Sequence, residues 1–263
     1  MKKKTIPAKK LHAYIRAAIQ VVFFICFPSA FTTAFSAIKS IFTQIGSQAP
    51  IAWSSFLTFC LALCAFTIVF GRFFCGYACA FGSLGDAVRS LYVFICKKCK
   101  KKPITWKPKK LPLHFLKYGV LLVVGYLCFT GVYSDLKGWN PWDVFSMLTA
   151  RKLPNASYKI GIILLVLILI GMCTQERFFC QFLCPMGAVF AMMPILPSAL
   201  FNRNREKCPS KCGLCKKRCP AHLEIDGDTA LSGECICCHA CQVTCPRKNI
   251  QIGPVKEREM VKE

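Results

Sequence analysis

Residues 208–220 read CPSKCGLCKKRCP, and residues 235–246 read CICCHACQVTCP. In the second run Cys235, Cys238 and Cys241 are each two residues apart, and Cys245 follows after three with Pro246 behind it. This is the C-x2-C-x2-C-x3-C-P rhythm of bacterial ferredoxins. The first run, Cys208, Cys212, Cys215 and Cys219 before Pro220, carries one extra residue in its first gap. Three thiolates close in sequence can hold three corners of an iron–sulfur cubane, and the fourth corner needs a distant sulfur. In two-cluster ferredoxins the fourth cysteine of each run therefore serves the other cluster. The expected ligand sets for two [4Fe–4S] clusters are Cys208, Cys212, Cys215 with Cys245, and Cys235, Cys238, Cys241 with Cys219. Zinc sites or a disulfide framework compete with this reading, but zinc sites rarely repeat that rhythm twice. Cys237 lies between ligands and is expected to be a spare thiol; His222 and His239 are expected to pack or to face solvent.

Composition places these runs on a membrane protein. The chain has 263 residues, 54% of them hydrophobic, with 20 Cys and a formal charge of +23. A soluble domain is not normally so apolar and so basic together. Residues 201–263 carry a net charge of +4 and the remaining residues +19. Such an excess suggests nucleic acid or the cytoplasmic face of a membrane, and because the bases flank long apolar runs the membrane is chosen and nucleic acid set aside. Cluster ligation needs free thiols, which assigns the terminal region to a reducing compartment.

In chain order, residues 1–13 read as a basic cytoplasmic lead. Transmembrane helices are expected at about 14–36, 52–71, 112–133 and 158–175, from uncharged runs of roughly 20 residues. A cleaved signal peptide is the rival reading of the first. GRFFCGYACAFGSL (71–84) aligns with ERFFCQFLCPMGAV (176–189) at an offset of 105. The chain thus divides into a first membrane repeat at 14–95, a basic linker at 96–111, a second repeat at 112–202, a ferredoxin domain at 203–253 and a tail at 254–263. The expected fold is mostly α: a polytopic protein with four spans as two parallel two-helix repeats, plus a small α+β domain of the bacterial 2[4Fe–4S] type. The segments after each Cys element, 73–95 and 178–202, are expected to be interfacial or re-entrant. Residues 72–117 hold eleven bases against one acid, which places this segment, both termini and the ferredoxin domain in the cytoplasm.

Cys75/Cys79 and Cys180/Cys184 each stand at i, i+4, so each pair shares a helix face. Two related halves could bring the four thiols together across a pseudo-two-fold axis as a redox site or a third metal or Fe–S centre. Arg72 and Arg177, before each pair, would favour thiolate. The plainer reading is small core residues with snorkelling arginines. Cys75, Cys79, Cys96 and Cys99 also approximate a four-thiolate zinc spacing. Cys26, Cys60, Cys64, Cys128 and Cys173 read as packing residues. No histidine lies mid-span for a transmembrane haem, and neither a G-x-G-x-x-G nor a Walker A pattern is present. Trp139 and Trp142 in the loop before the fourth span read as an interface belt, with Asp135 and Asp143 as candidate proton acceptors.

Together these residues resemble the membrane-bound polyferredoxin family, which includes NapH-type quinol dehydrogenase membrane components and the carboxy-terminal half of NosR-type proteins. The likeness rests on the four apolar runs, the two RxxCxxxC elements and the two-cluster array, from about residue 11 to 253. Ala80 departs from it, since the family element has proline there, as Pro185 does in the second copy. The resemblance implies an electron conduit in the cell membrane. Quinol or a cytoplasmic donor would deliver electrons, and a partner reductase, flavoprotein or cytochrome would receive them. An alternative is an assembly factor that reduces copper or iron for a respiratory enzyme; a redox-sensing membrane regulator is a further one.

Overall fold

A computed structural model describes residues 8–105, 115–136, 138–196, 201–203, 208–209, 212–221, 223 and 233–252. Helix α1 (Ala8–Cys26) stops just before Pro28, whose ring disfavours helix at the residue ahead of it. Helix α2 (Ala30–Gly46) departs from it at 60°. Helix α3 (Ser55–Phe70) starts where Ser54 Oγ accepts the Leu57 N–H at 3.2 Å and ends on Gly71, whose φ of 68° suits a residue without Cβ. A π-helical turn, Phe74–Ala78, leads into α4 (Ala80–Lys98). The second half runs α5 (Leu116–Phe129), α6 (Pro141–Thr149, with proline in its first turn), α7 (Lys159–Thr174), α8 (Phe178–Phe182) and α9 (Pro185–Met192).

The offset of 105 extends far beyond the Cys elements. It carries α1 onto α5, α2 onto α6, α3 onto α7, the π turn onto α8 and the start of α4 onto that of α9. Packing repeats too: α1 lies on α4 as α5 lies on α9, and α2 on α3 as α6 on α7. At the join, Phe81 and Phe179 stack with ring centroids 4.1 Å apart, flanked by Phe31 at 5.8 and 5.9 Å and Phe145 at 4.6 Å. Phe31, Phe81 and Phe179 are at most 2% exposed.

By length the helices do not all match the four expected spans. Among the described residues one helical run, Ala156–Thr174, is long and apolar enough to cross a membrane, or two if the bent pair α1–α2 counts as one. At 1.5 Å per residue, α3 and α5 reach only about 24 and 21 Å, short of a hydrocarbon core of roughly 30 Å. Pro28 breaks the run from which one helix over 14–36 is expected. The expectation for Trp142 is also overturned. Its ring is buried edge-on against Phe35 at 5.2 Å, and its Nε1 donates to Tyr133 Oη at 3.1 Å, whereas Trp139 stays exposed. Asp143 pairs with Lys39 at 3.8 Å and so ties α6 of the second half to α2 of the first.

The terminal unit is small and mixed. Strand β1 (Phe201–Arg203) pairs antiparallel with β2 (Ile250–Ile252), Phe201 facing Ile252, so the unit begins two residues ahead of its expected boundary. Two short helices, α10 (Leu214–Arg218) and α11 (Ala240–Thr244), pack together, and Phe201, Cys215, Cys237 and Ile250 form its core. Phe73 of the bundle leans against that core.

Candidate electron-transfer site

All eight cysteines of the two terminal runs lie in described residues. Asn249 joins the ends of the first expected set: its N–H lies 3.4 Å from Cys245 Sγ, and its Nδ2 3.7 Å from Cys208 Sγ. Cys219 sits instead with the second run. Burial pushes its thiol up to about 11 against the N–H groups of Leu223 and Ala221, with the Cys238 and Cys235 thiols adding to the rise. Burial likewise pushes Cys241 up to about 12, with Cys238, Cys235 and Cys219 adding to it. Cys219 thus has Cys235 and Cys238 beside it, and Asn249 lies between Cys245 and Cys208.

Among the described residues no three His, Cys, Asp or Glu side chains converge closely enough to hold a single ion. Metal–sulfur bonds of 2.3 Å would bring tetrahedral thiolates to within about 3.8 Å of one another. A cubane spreads its ligands over four irons and holds them further apart. Cys237 is buried at a φ of 48°, its Sγ 3.9 Å from the Cys235 carbonyl oxygen. His239 packs on Phe201, Phe73 and Tyr77, and His222 lies outside the described residues.

The paired cysteines behave as one group. Cys75, Cys79, Cys180 and Cys184 are all buried in the same core. Cys79 and Cys184 occupy equivalent places, each in extended backbone just before α4 and α9, and Cys184 Sγ accepts the Gly187 N–H at 3.2 Å. Arg72 and Arg177 do not point outward as snorkelling side chains would; they are 1% and 2% exposed. Each guanidinium crosses to the other half. Arg177 lies over Gly82, where a Cβ would collide with its Nη1, and Arg72 lies 3.1 Å from where a Cβ on Gly187 would be. Both glycines are related by the same offset of 105, so the missing side chains make room for the exchanged arginines.

The expectation that these arginines make the free thiols acidic is not met. Burial is the largest effect and pushes Cys79, Cys180 and Cys184 up, although Arg177 opposes it at Cys79 and Cys180 and Arg72 at Cys180. Burial thus keeps the Cys79, Cys180 and Cys184 thiols protonated when free, and ligation would have to displace those protons. The zinc grouping of Cys75 and Cys79 with Cys96 and Cys99 fails on length. Cys79 and Cys96 lie at opposite ends of α4, about 25 Å apart at 1.5 Å per residue.

The two arginines differ in their acids. Arg177 holds Asp86 of α4 through Nε to Oδ1 at 2.9 Å and Nη2 to Oδ2 at 2.6 Å, and donates to the carbonyls of Cys75 and Gly76. Arg16 and Gln20 of α1 also donate to Asp86 Oδ2, each at 2.7 Å. The residue equivalent to Asp86 in the second half is Ala191, which supplies no charge. Gly233 is pressed against the Ala191 carbonyl so closely that a Cβ on it would overlap, and the next residue, Glu234, accepts from Arg72, from Lys117 and from Tyr118. The terminal unit thus provides the carboxylate that the second repeat lacks. Neither Glu234 nor Lys117 carries a sequence signal for this role.

The Cys elements also touch the loops of the second ligand set. Gly76 lies against the Ile236 carbonyl, Tyr77 Oη donates to the Cys238 carbonyl at 3.3 Å, and Gln181 Nε2 donates to the Pro220 carbonyl. Gly76 and Gln181 are again equivalent positions.

A family model described as a 4Fe-4S binding domain matches residues 51–102 and 160–204. Its two segments contain the paired cysteines, and both end before Cys208. The chain is 28% identical to the protein MJ0749 of Methanocaldococcus jannaschii over 67% of this chain and 62% of that relative. It is 21% identical to the putative electron transport protein YccM of Escherichia coli over 78% of this chain and 57% of YccM. It is 27% identical to the protein NirI of Paracoccus denitrificans over 66% of this chain and 25% of NirI. The matches span less than two thirds of each of these relatives. No solved structure matches the chain.

Proposed function

We propose that this chain is a membrane-anchored iron–sulfur electron-transfer protein. In this reading Cys208, Cys212, Cys215 and Cys245 hold one [4Fe–4S] cluster, and Cys235, Cys238, Cys241 and Cys219 hold the second. Each cluster supplies a one-electron carrier when bound. Cys75, Cys79, Cys180 and Cys184 form a further redox or Fe–S centre between the halves. Electrons pass between the quinol pool, or a cytoplasmic donor, and a partner reductase, flavoprotein or cytochrome. The observation that carries the reading is the direct contact of Gly76, Tyr77 and Gln181 with the loops of the second ligand set, which leaves no gap between the Cys pairs and that cluster site.

Membrane anchoring is supported by the outer faces of α3, α5 and α7. Phe56, Leu61, Leu122, Val123, Ile163 and Ile170 are all exposed, and an apolar surface this continuous is the pattern of lipid contact. The four-span, parallel-repeat topology with both termini cytoplasmic is part of the proposal.

The test is anaerobic purification in mild detergent, with iron, sulfide, copper and zinc quantified and EPR recorded before and after a reduced quinone analogue is added. About eight iron from two cubanes, reducible by quinol, supports the reading. Iron beyond that assigns a cluster to the paired cysteines. Stoichiometric copper there favours the metal-reducing assembly factor, and zinc in place of iron defeats the proposal.

A further inference from the structure

Two cavities meet at Asp86. One is a cleft of ≈ 630 Å³ between α1 and α4, walled by apolar side chains such as Val21, Phe24, Leu84 and Ala87. Gln20, Ser83, Asp86 and Ser90 supply its polar lining. The other, of ≈ 210 Å³, is polar; it is lined by His12, Arg16, Glu176 and Arg218 among others, and shares Ala17, Gln20, Asp86 and Ser90 with the first. Asp86 therefore lines both an apolar slot and a more polar one. Its Oδ2 accepts from Arg16, Gln20 and Arg177, while among the described residues Oδ1 accepts from Arg177 Nε alone and keeps a lone pair.

We propose that the apolar cleft binds the ring of a quinone or quinol, with one ring oxygen at the Gln20–Ser83–Asp86 end. This rests on the quinol reading above and assigns it a place. The volume falls within the range of about 300–1,000 Å³ that encloses small-molecule ligands, and an apolar wall with a few convergent polar groups is their usual lining. A quinol hydroxyl needs an acceptor, which the Asp86 carboxylate provides; a quinone carbonyl needs a donor, which the Ser83 hydroxyl supplies by turning from the Cys79 carbonyl or Gln20 by releasing the Gly76 carbonyl. A lipid tail would use neither. The carboxylate disfavours a phosphate headgroup at the same end, and the more polar cavity shares that carboxylate. The link to the redox cysteines is one side chain long: Ser83 Oγ donates to the Cys79 carbonyl at 3.0 Å, and Arg177 joins Asp86 to the Cys75 carbonyl. The second half has no such end among its described residues, because Ala191 replaces Asp86 and lies under Gly233.

The experiment is binding of a short-chain naphthoquinone to the full-length protein with its iron in place, followed by fluorescence quenching, with a photoreactive azido analogue for mapping. Ala87→Phe fills the cleft from the exposed side of α4, and Leu122→Phe on the outer face of α5 serves as a control. We expect at least a tenfold weaker quinone affinity in Ala87→Phe, unchanged affinity in Leu122→Phe, unchanged iron content in both, and label on α1 and α4 of the native protein. Equal affinity in Ala87→Phe would overturn the site, as would label confined to α5 and α7. So would displacement of the quinone by an alkyl chain lacking a ring, which marks an acyl-chain groove. Should Ala87→Phe lose iron, the native label map decides alone. Ring binding at the cleft without cluster reduction by quinol would defeat the donor reading and leave the site standing. Reduction by quinol with unchanged affinity in Ala87→Phe would do the reverse.

Discussion

Neutralising Glu234 tests how the terminal unit is attached. Arg72 and Lys117 are 1% and 0% exposed and both lean on its Oε2, so Glu234→Gln leaves two buried cations facing a single amide. Removing one partner of a buried ion pair costs roughly 3–5 kcal/mol. The Glu234 side chain is 19% exposed, and partial solvation places the expected loss near the lower end, about 3 kcal/mol. For a chain of this length about 2–4 °C accompanies each kcal/mol, giving a fall in melting temperature of about 6–12 °C. The assay is thermal unfolding in detergent, followed both by cluster absorbance and by tryptophan fluorescence. Lys117→Met completes a double-mutant cycle, in which contacting residues show coupling of about 0.5–3 kcal/mol. Because Lys117→Met removes one stranded cation, the double variant is expected to be more stable than the two single losses would sum to. Additive losses, or a Glu234→Gln protein within about 0.5 kcal/mol of the native one, would refute the carboxylate bridge.

Three further outcomes are expected. Cys219→Ser combined with Cys235→Ser should retain about four of eight iron, because both ligands belong to one crossed set; complete loss of iron would mean that each run holds its own cluster. Cys180→Ser should stop electron delivery to the partner while both terminal clusters remain visible by EPR, and unchanged delivery would make the paired cysteines structural. Phe179→Ala, at the 4.1 Å stack with Phe81, should cost about 3–5 kcal/mol in a melting experiment, and a loss below 1 kcal/mol would mean that the join between the halves is not a packed core.

The ligand runs and the repeated Cys elements were legible in the sequence because each is a local pattern with its own spacing. The roles of Glu234, Gly82, Gly187 and Gly233 were not legible, since each depends on a partner about a hundred positions or further along, or forty in the case of Gly233 and Ala191, and none sits in a local motif. Trp142 shows a different limit: an aromatic next to Trp139 in a short loop reads as a belt residue until Phe35 and Tyr133 are found around it. The misjudged first span was a matter of weighting. An uncharged run spoke for one helix and Pro28 for two, and at this position the restriction of the backbone prevailed over hydropathy.

The exchanged arginines give each half a dependence on the other. A single repeat standing alone would hold a glycine niche with nothing in it and an arginine with no niche to enter. Position 86 carries an acid, whereas position 191 is alanine and Arg72 takes its acid from the terminal unit. The terminal unit therefore docks on one of two related faces, and its attachment gives the paired repeats a single direction.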